Sequence, residues 1–302
     1  MARWSQANGL AAPLLLTATP SATYALRLAG GNLMLHAGSL VARWNGLELH
    51  LGFAPKVIDG QLFLHGLDLQ KTVQPLLRPL PEWPGDRDPV LVIDPGHGGA
   101  DAGAKSAAEN RYEKEFTLDW ALRLRTLLAS NHWQVYLTRT TDIEVPLSYR
   151  VAFAEKRKAD VFLSLHFNSA GSDQVEGGLE TYCLTPVGMP SSLTRGFADE
   201  TAAAFPNNAF DEQNLQIALR IHRALLQVNG HYDRGVRRAR FPTVLRGQQR
   251  PAVLIEGGYL SSPREARLIG DPNYRQKLAE AVAHALTGDT DELARHSDHP
   301  DT

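Results

Sequence analysis

A continuous β-branched and aliphatic run, Val90 to Ile93, stops abruptly at Asp94-Pro95-Gly96-His97-Gly98-Gly99. Such a run suits a strand buried on both faces of a parallel sheet. The proline ends it, and the glycines allow backbone angles and close approaches that a Cβ forbids. His97 is thereby free to point into a cleft at the carboxyl edge of the sheet. A phosphate-cradling loop is the rival reading of glycines that follow a strand. The dinucleotide spacing G-x-G-x-x-G fails here, because Asp101 stands where the third glycine belongs, and there is no Walker lysine. A lone histidine is more often structural than catalytic, so this one takes its meaning from what else reaches the same edge.

Glu113 opens a segment whose Phe116, Trp120, Ala121, Leu124, Leu127 and Leu128 recur at helical spacing. A carboxylate in the first turn of a helix is stabilised by the free backbone N–H groups there, by about 0.3–1 kcal/mol. Plain capping accounts for Glu113 taken alone. The same stabilisation keeps it ionised, as a metal ligand must be. Trp133 to Leu137 reads as the next strand and Leu147 to Arg157 as a helix, followed by a buried strand at Val161 to Leu165 that runs straight into His166. Strand and helix in alternation predict an α/β fold, a mainly parallel sheet with helices on both faces. Leu179 to Leu184 and Ala252 to Ile255 add strands, and Glu256 ends the second of these. A buried glutamate is uncommon unless it has a partner or a task.

Two imidazoles and a carboxylate (His97, Glu113, His166) leave a fourth position open on zinc, the composition of a hydrolytic site. Glu256 stands apart as a single carboxylate at the same edge. There is no HExxH helix, so the scaffold differs from thermolysin-type proteases.

Between Leu184 and the next helix, expected over Asn214 to Asn229, Thr185 to Gln213 is long, poorly patterned and rich in Pro, Ser and Asn. Loops of that length are functional or disordered. The arginines at 234, 237, 238, 240 and 246 surround Phe241 and an expected strand at Thr243 to Leu245; most such arginines are solvated, and one or two facing the cleft steer an anionic substrate. A helix over Leu278 to Leu286 closes the unit, which spans 90–287. The polar tail, 288–302, carries His296 and His299 and reads as disordered.

Ahead of this unit, Asn45-Gly46 and Asp59-Gly60 punctuate short strands as two-residue hairpin turns do. Leu69, Val73, Leu76 and Leu77 follow at helical spacing, with Asp68 as the expected N-cap. Residues 1–78 therefore read as a small β-rich module, in which His36, His50 and His65 lack partners at ligand spacing and are packing or surface residues. The stretch 79–89 holds Pro79, Pro81, Pro84 and Pro89 and reads as a linker. The first twenty-five residues make an unclear signal peptide, since Pro13 interrupts Leu10 to Leu16 and the run has one preceding arginine; a short helix over Ala2 to Leu10 is the alternative. A formal charge of −2 gives no reason to expect nucleic acid or an anionic membrane as partner. Cys183 is the only cysteine, which excludes an intrachain disulfide and a thiolate cluster.

Asp94-Pro-Gly-His-Gly-Gly, Glu113-Lys, Ser164-Leu-His-Phe-Asn-Ser and Ile255-Glu-Gly-Gly-Tyr-Leu-Ser resemble, in order, the successive motifs of the zinc-dependent N-acetylmuramoyl-L-alanine amidases. The resemblance extends over 90–286 and includes Leu137-Thr-Arg139, Arg150, Ala159-Asp160 and Arg234-Gly-Val. It departs at Glu155 and Ser262, where asparagine is usual. It implies zinc (Zn2+) bound by His97, Glu113 and His166, Glu256 as the catalytic carboxylate, and Asp101, Asn168, Arg139 and Arg234 as residues that orient the ligands or meet substrate. It also implies peptidoglycan as substrate, a place in the cell envelope (periplasmic or secreted), wall remodelling or daughter-cell separation as the setting, and a protein activator as a possible partner. A monomer without nucleic-acid or membrane-spanning character is expected. The competing functions are a zinc peptidase and a non-catalytic wall-binding module. In family members with an inserted element after the strand at Leu184 that element restrains the enzyme, so Thr185 to Gln213 is a candidate gate.

Overall fold

The computed structural model describes residues 1–18, 21–79, 82–170, 177–196, 198–229 and 232–288. The expected tail, with His296 and His299, falls outside the described residues apart from Gly288.

The chain opens with a short helix α1 (Ala2–Ala7) and an antiparallel meander of β1 (Leu14–Thr17), β2 (Thr23–Leu28), β3 (Gly31–His36), β4 (Val41–Trp44) and β5 (Leu47–His50). Alternate residues point inward, so Leu26, Leu28, Leu33, Leu35, Ala42, Trp44, Leu47 and Leu49 are buried. Asn45 (φ 49°) and Gly46 (φ 83°) make the left-handed pair that a two-residue hairpin needs, as do Asp59 and Gly60 between β6 (Lys56–Ile58) and β7 (Gln61–Phe63). The helical segment that follows begins one turn earlier than expected, as α2 (Gly66–Asp68), and continues through a wide π turn (Leu69–Val73) into a 3₁₀ turn (Gln74–Leu77). Its cap is His65, whose ring accepts from the Leu67 N–H. Asp68 is instead buried inside the turn, where its carboxylate accepts from the Gly52 and Phe53 N–H groups and from the Thr72 hydroxyl. Three donors hold a buried carboxylate better than one helix end does.

The remainder is β8 (Val90–Pro95), α3 (Glu113–Ala129), β9 (Gln134–Leu137), α4 (Leu147–Lys156), β10 (Val161–Asn168), β11 (Leu179–Leu184), a 3₁₀ turn (Pro206–Phe210), α5 (Asp211–Asn229), β12 (Asp233–Ala239), α6 (Thr243–Arg246), β13 (Ala252–Tyr259), α7 (Pro263–Gly270) and α8 (Pro272–Thr287). Among the described residues the strands form one eleven-stranded sheet in the order β1-β2-β3-β4-β5-β12-β11-β13-β10-β8-β9, with β6 and β7 apart. From β12 to β9 every neighbouring pair is parallel except β11 with β13. Leu91, Ile93, Leu163, Leu165, Val253 and Ile255 pack with α3, α5 and α8 on one face, while Val90, Val92, Phe162, Ala252 and Leu254 pack with α4 and α6 on the other. Burial on both faces is why these strands read as unbroken apolar runs.

The amino-terminal meander shares the first of those cores and joins the parallel strands through β5 and β12, where Leu49 pairs with Val236. The Glu48 N–H donates to Asp233 Oδ2 (2.8 Å) beside this junction. The proline-rich stretch lies along the larger half: the Trp83 indole donates to the Leu286 carbonyl (2.9 Å), and Arg87 forms a two-pronged pair with Asp160.

Three expectations are corrected. Three arginines of the cluster (234, 237 and 238) lie in a strand, β12, with Arg240 just past it, and the guanidinium groups are largely withdrawn from solvent: Arg238 donates to Lys71 O and Thr72 Oγ1, and Arg240 to Asp199 and three carbonyls. Their aliphatic stems fill the layer while the heads meet backbone oxygens, which no hydropathy pattern reveals. Thr243–Arg246 is a helical turn and not a strand, because Val244 and Leu245 both enter the same core, whereas a strand would send neighbours to opposite faces. Helix α5 starts at Asp211, three residues before Asn214, and this shortens the irregular segment.

Candidate metal centre and catalytic edge

Because β8, β10 and β13 run parallel, their carboxyl ends share one edge, and each delivers one ionisable side chain there. The loop after β8 carries His97 at φ 62°, a left-handed angle that a histidine adopts only when its surroundings impose it. Those surroundings are two buried arginines. Arg139 donates to the carbonyls of Pro95 (3.1 Å) and Gly96 (2.7 Å); Arg150 donates to those of Pro95 and His97 (3.0 Å each) and pairs with Asp94 at 2.6 Å. Thr138 and Ser164 complete the Asp94 carboxylate. Gly96 is required by contact: a Cβ there would stand 2.3 Å from the His166 ring. Arg139 is thus a support of the loop backbone, 2% exposed.

Glu113 sits at the first position of α3 and is buried, with the Ala104 N–H (3.0 Å) on Oε2 and the Phe167 N–H (3.0 Å) on Oε1. His97 Nε2 lies 3.0 Å from Oε2, and His166 Nδ1 lies 2.8 Å from Oε1. The two imidazole rings stand edge to face with centroids 4.9 Å apart. Asp101 Oδ1 is 2.8 Å from His97 Nδ1, which turns Nε2 inward. One donor atom from each of His97, Glu113 and His166 falls within 4.8 Å of the others. A tetrahedral ion with ligand bonds of about 2.0–2.2 Å holds its donors roughly 3.3–3.6 Å apart, so donors that already lie within 4.8 Å of one another need to close by no more than about 1 Å to share one divalent ion. Burial works against charge on both partners, yet mutual hydrogen bonds prevail: His97 is pushed up to about 9, and Glu113 is held well below the usual carboxylate range by His166 and His97.

Glu256 is the register partner of His166 in the parallel pair β10–β13. It is 4% exposed, and burial pushes its carboxyl up to about 7 against the pull of His166 and Arg195. Oε1 lies 3.4 Å from Arg195 Nη2, and Oε2 is buried with no hydrogen-bond partner among the described residues. Asn168 donates to Glu180 (2.8 Å) and accepts from Arg195 (3.1 Å), and Arg234 Nε meets Glu180 Oε1 at 3.1 Å. His97, Glu113, His166, Glu256, Asp101, Asn168 and Arg234 therefore converge on one edge, with Arg139 beneath. Of the two departures, Glu155 on α4 pairs with Arg250, and Ser262 stands at the N-cap position of α7 without a side-chain capping bond.

Sequence reasoning missed Glu180 and Arg195. Glu180 left a signal, a carboxylate inside the otherwise unbroken strand Leu179 to Leu184. Arg195 lies in an unpatterned segment and left none.

Residues 91–288 match the family model described as N-acetylmuramoyl-L-alanine amidase. The chain belongs to this family. Among curated relatives, the N-acetylmuramoyl-L-alanine amidase AmiC of Escherichia coli O6:H1 is 33% identical over 238 residues, 71% of this chain and 56% of the relative. AmiC of Neisseria meningitidis serogroup B is 32% identical over 225 residues, with 66% and 52% covered. The chain thus spans about half the length of these relatives. The solved catalytic domain of the amidase CwlV from Bacillus (Paenibacillus) polymyxa var. colistinus superposes with a TM-score of 0.54 at 32% identity, covering 68% of this chain and 98% of that one. An amidase structure from Clostridium difficile 630 gives 0.54 at 29%, covering 67% and 96%. In each case roughly a third of this chain lies outside the superposed part.

Proposed function

We propose that the chain hydrolyses the amide bond between N-acetylmuramic acid and L-alanine in peptidoglycan, with zinc held by His97, Glu113 and His166 and with Glu256 as proton carrier. One observation carries the reading: three ligand-type side chains from separate elements close on one point while a fourth, ionisable and buried, stands one strand away. A wall-binding module has no use for Glu256 in that position. Family membership supplies the substrate class.

Zinc in this site supplies a water whose pKa falls from about 15.7 to about 7 and an electrophile for the carbonyl. The protein supplies the remainder. Asp101 holds the His97 ring so that Nε2 faces inward, an arrangement that fixes tautomer and orientation. The Ala104 and Phe167 N–H groups fix both oxygens of Glu113. Glu256 takes the proton from the attacking water and returns it to the departing alanine nitrogen, a task for which a carboxyl near 7 is suited and which contributes about 10²–10⁴-fold in rate. Asn168 and Arg234, both held by Glu180, line the edge toward β11 and β12. The substrate places the enzyme in the cell envelope, and no described helix is long and apolar enough to cross a membrane.

The test is digestion of purified muropeptides with and without chelator, read by mass spectrometry. The expected products are peptide with a free L-alanine amine and unsubstituted glycan, lost with chelator and restored by zinc. A new amine on any other residue would assign the site to peptide-bond cleavage instead.

A further inference from the structure

The segment between β11 and α5 is fastened at its base by one buried side chain. Arg240 Nη2 donates to the carbonyls of Pro186 (2.9 Å), Met189 (2.9 Å) and Thr201 (3.3 Å), and Nη1 to Asp199 Oδ1 (2.6 Å). Asp199 Oδ2 in turn accepts from the Ser191 N–H. Both feet of the loop are therefore tied to Arg240, just past β12. From its apex, Arg195 (φ 47°) and Gly196 (φ 79°) make two consecutive left-handed residues that send the Arg195 side chain back over the sheet edge. The non-glycine residue at positive φ costs on the order of 1 kcal/mol, and the fastened base sustains it. The guanidinium lies over Phe241, 4.6 Å from the ring centroid. Its Nη2 is 3.1 Å from Asn168 Oδ1 and 3.4 Å from Glu256 Oε1.

This is not how the fold builds a structural ion pair. Arg150 meets Asp94 at 2.6 Å with both partners almost fully buried, whereas Arg195 keeps 36% side-chain exposure and touches Glu256 at the limit of hydrogen bonding. A fixed cation beside the proton carrier, not locked to it, has the placement of a group that meets substrate.

We propose that Arg195 is a catalytic residue, donating N–H to the carbonyl oxygen of the amide under attack; the proposal rests on the hydrolytic reading of the site. As the water oxygen bonds to the carbonyl carbon, the carbonyl π pair moves onto its oxygen, and Arg195 stabilises that charge. When the C–N bond breaks, the pair returns, and the nitrogen leaves with the proton that Glu256 carried from the water. The products are a carboxylate and an ammonium group, the second proton of the water ending on the amine. Arg195 forms no covalent bond and transfers no proton. Removing one such donor typically costs 10²–10³-fold in turnover.

The experiment compares Arg195→Ala and Arg195→Lys with wild type on purified muropeptide, together with metal content and melting temperature. In the Glu256→Gln background, calorimetry compares binding of intact muropeptide with binding of a phosphinate analogue of the scissile amide. Arg195→Ala is expected to lower kcat about 10²–10³-fold with KM within about threefold, metal content and melting unchanged, and partial recovery in Arg195→Lys. It is also expected to weaken the tetrahedral analogue about 100-fold while intact muropeptide binds as before. Unchanged kcat, equal weakening of both ligands, or increased turnover (the mark of a plug) each overturn the proposal. Wild-type protein that frees no L-alanine amine on the stem peptide defeats the hydrolytic reading separately, and the analogue-to-substrate ratio then still decides what Arg195 binds.

Discussion

Glu180 and Glu256 are register partners across β11 and β13, the antiparallel strand pair of the larger half among the described residues, and both are buried, yet Glu180 is far more fully compensated. Its two oxygens meet Arg234 Nε (3.1 Å), Arg237 Nε (3.2 Å), Asn168 Nδ2 (2.8 Å) and the Tyr182 hydroxyl (2.8 Å). Glu256 has one long contact with Arg195. Two carboxylates of the same type on the same face are thereby given different work. Glu180 is a strut that holds Asn168 and the first arginines of β12 at the edge, and Glu256 is left reactive.

Glu256→Gln is expected to abolish turnover and to stabilise the fold at neutral pH. The folded carboxyl titrates at about 7 against an unfolded value of 4.5, so the folded state holds this proton more tightly. The favourable term is complete below pH 4.5 and is lost as pH rises through 7, a swing of roughly 3 kcal/mol as an upper bound. Glutamine does not titrate. The melting temperature of metal-free Glu256→Gln should therefore exceed that of wild type at pH 8, with the gap closing toward pH 4.5. A gap independent of pH would show that burial of the charge is not what sets it.

For the reaction, the sign is reversed. A base must be ionised, so kcat/KM should fall about tenfold per pH unit on the acid side of a midpoint at or below about 7, since a cation held by His97, Glu113 and His166 favours the ionised carboxyl. Initial rates on one muropeptide between about pH 4 and 9 check this, and a profile with no acid limb would remove Glu256 from the role.

Much of this edge was legible from sequence, for a physical reason. His97, His166 and Glu256 each follow an apolar run, and burial on both faces makes such runs continuous, so the residue that ends each run must emerge at the sheet edge. Glu113 was legible as the first turn of an amphipathic helix. What was hidden depends on contacts remote in sequence. β12 and the residue after it carry Arg237, Arg238 and Arg240, and the burial of the last two is visible only once Lys71, Thr72 and Asp199 are in place as acceptors. The strand pairing that joins the amino-terminal meander to the main sheet, Leu49 with Val236, is one that no periodicity encodes.

Metal uptake should release a proton from His97. In the metal-free protein this imidazole is pushed up to about 9, because burial is outweighed by Glu113 and Asp101, and a ligand nitrogen must be unprotonated. Apparent zinc affinity should therefore rise about tenfold per pH unit from 7 to 9 and flatten beyond. His97→Ala should abolish stoichiometric metal, and Asp101→Asn should weaken it about 10–100-fold through loss of ring orientation. Chelator competition across that pH range measures all three.

Arg150 and Asp94 are an almost fully buried pair, and the same guanidinium holds the carbonyls of Pro95 and His97. Removing one member of such a pair leaves the other charge uncompensated, at a cost of about 3–5 kcal/mol, whereas removing both is far less severe. Arg150→Met should thus destabilise strongly in urea unfolding, and Asp94→Asn with Arg150→Met should recover most of that loss, since Thr138 and Ser164 still satisfy an amide at 94. Zinc affinity should follow a different order. Both variants lack the bond to the His97 carbonyl, so both should bind metal more weakly than wild type even where the double variant regains stability. If affinity instead tracked stability across the series, Arg150 would act through global folding and not through the loop that presents His97.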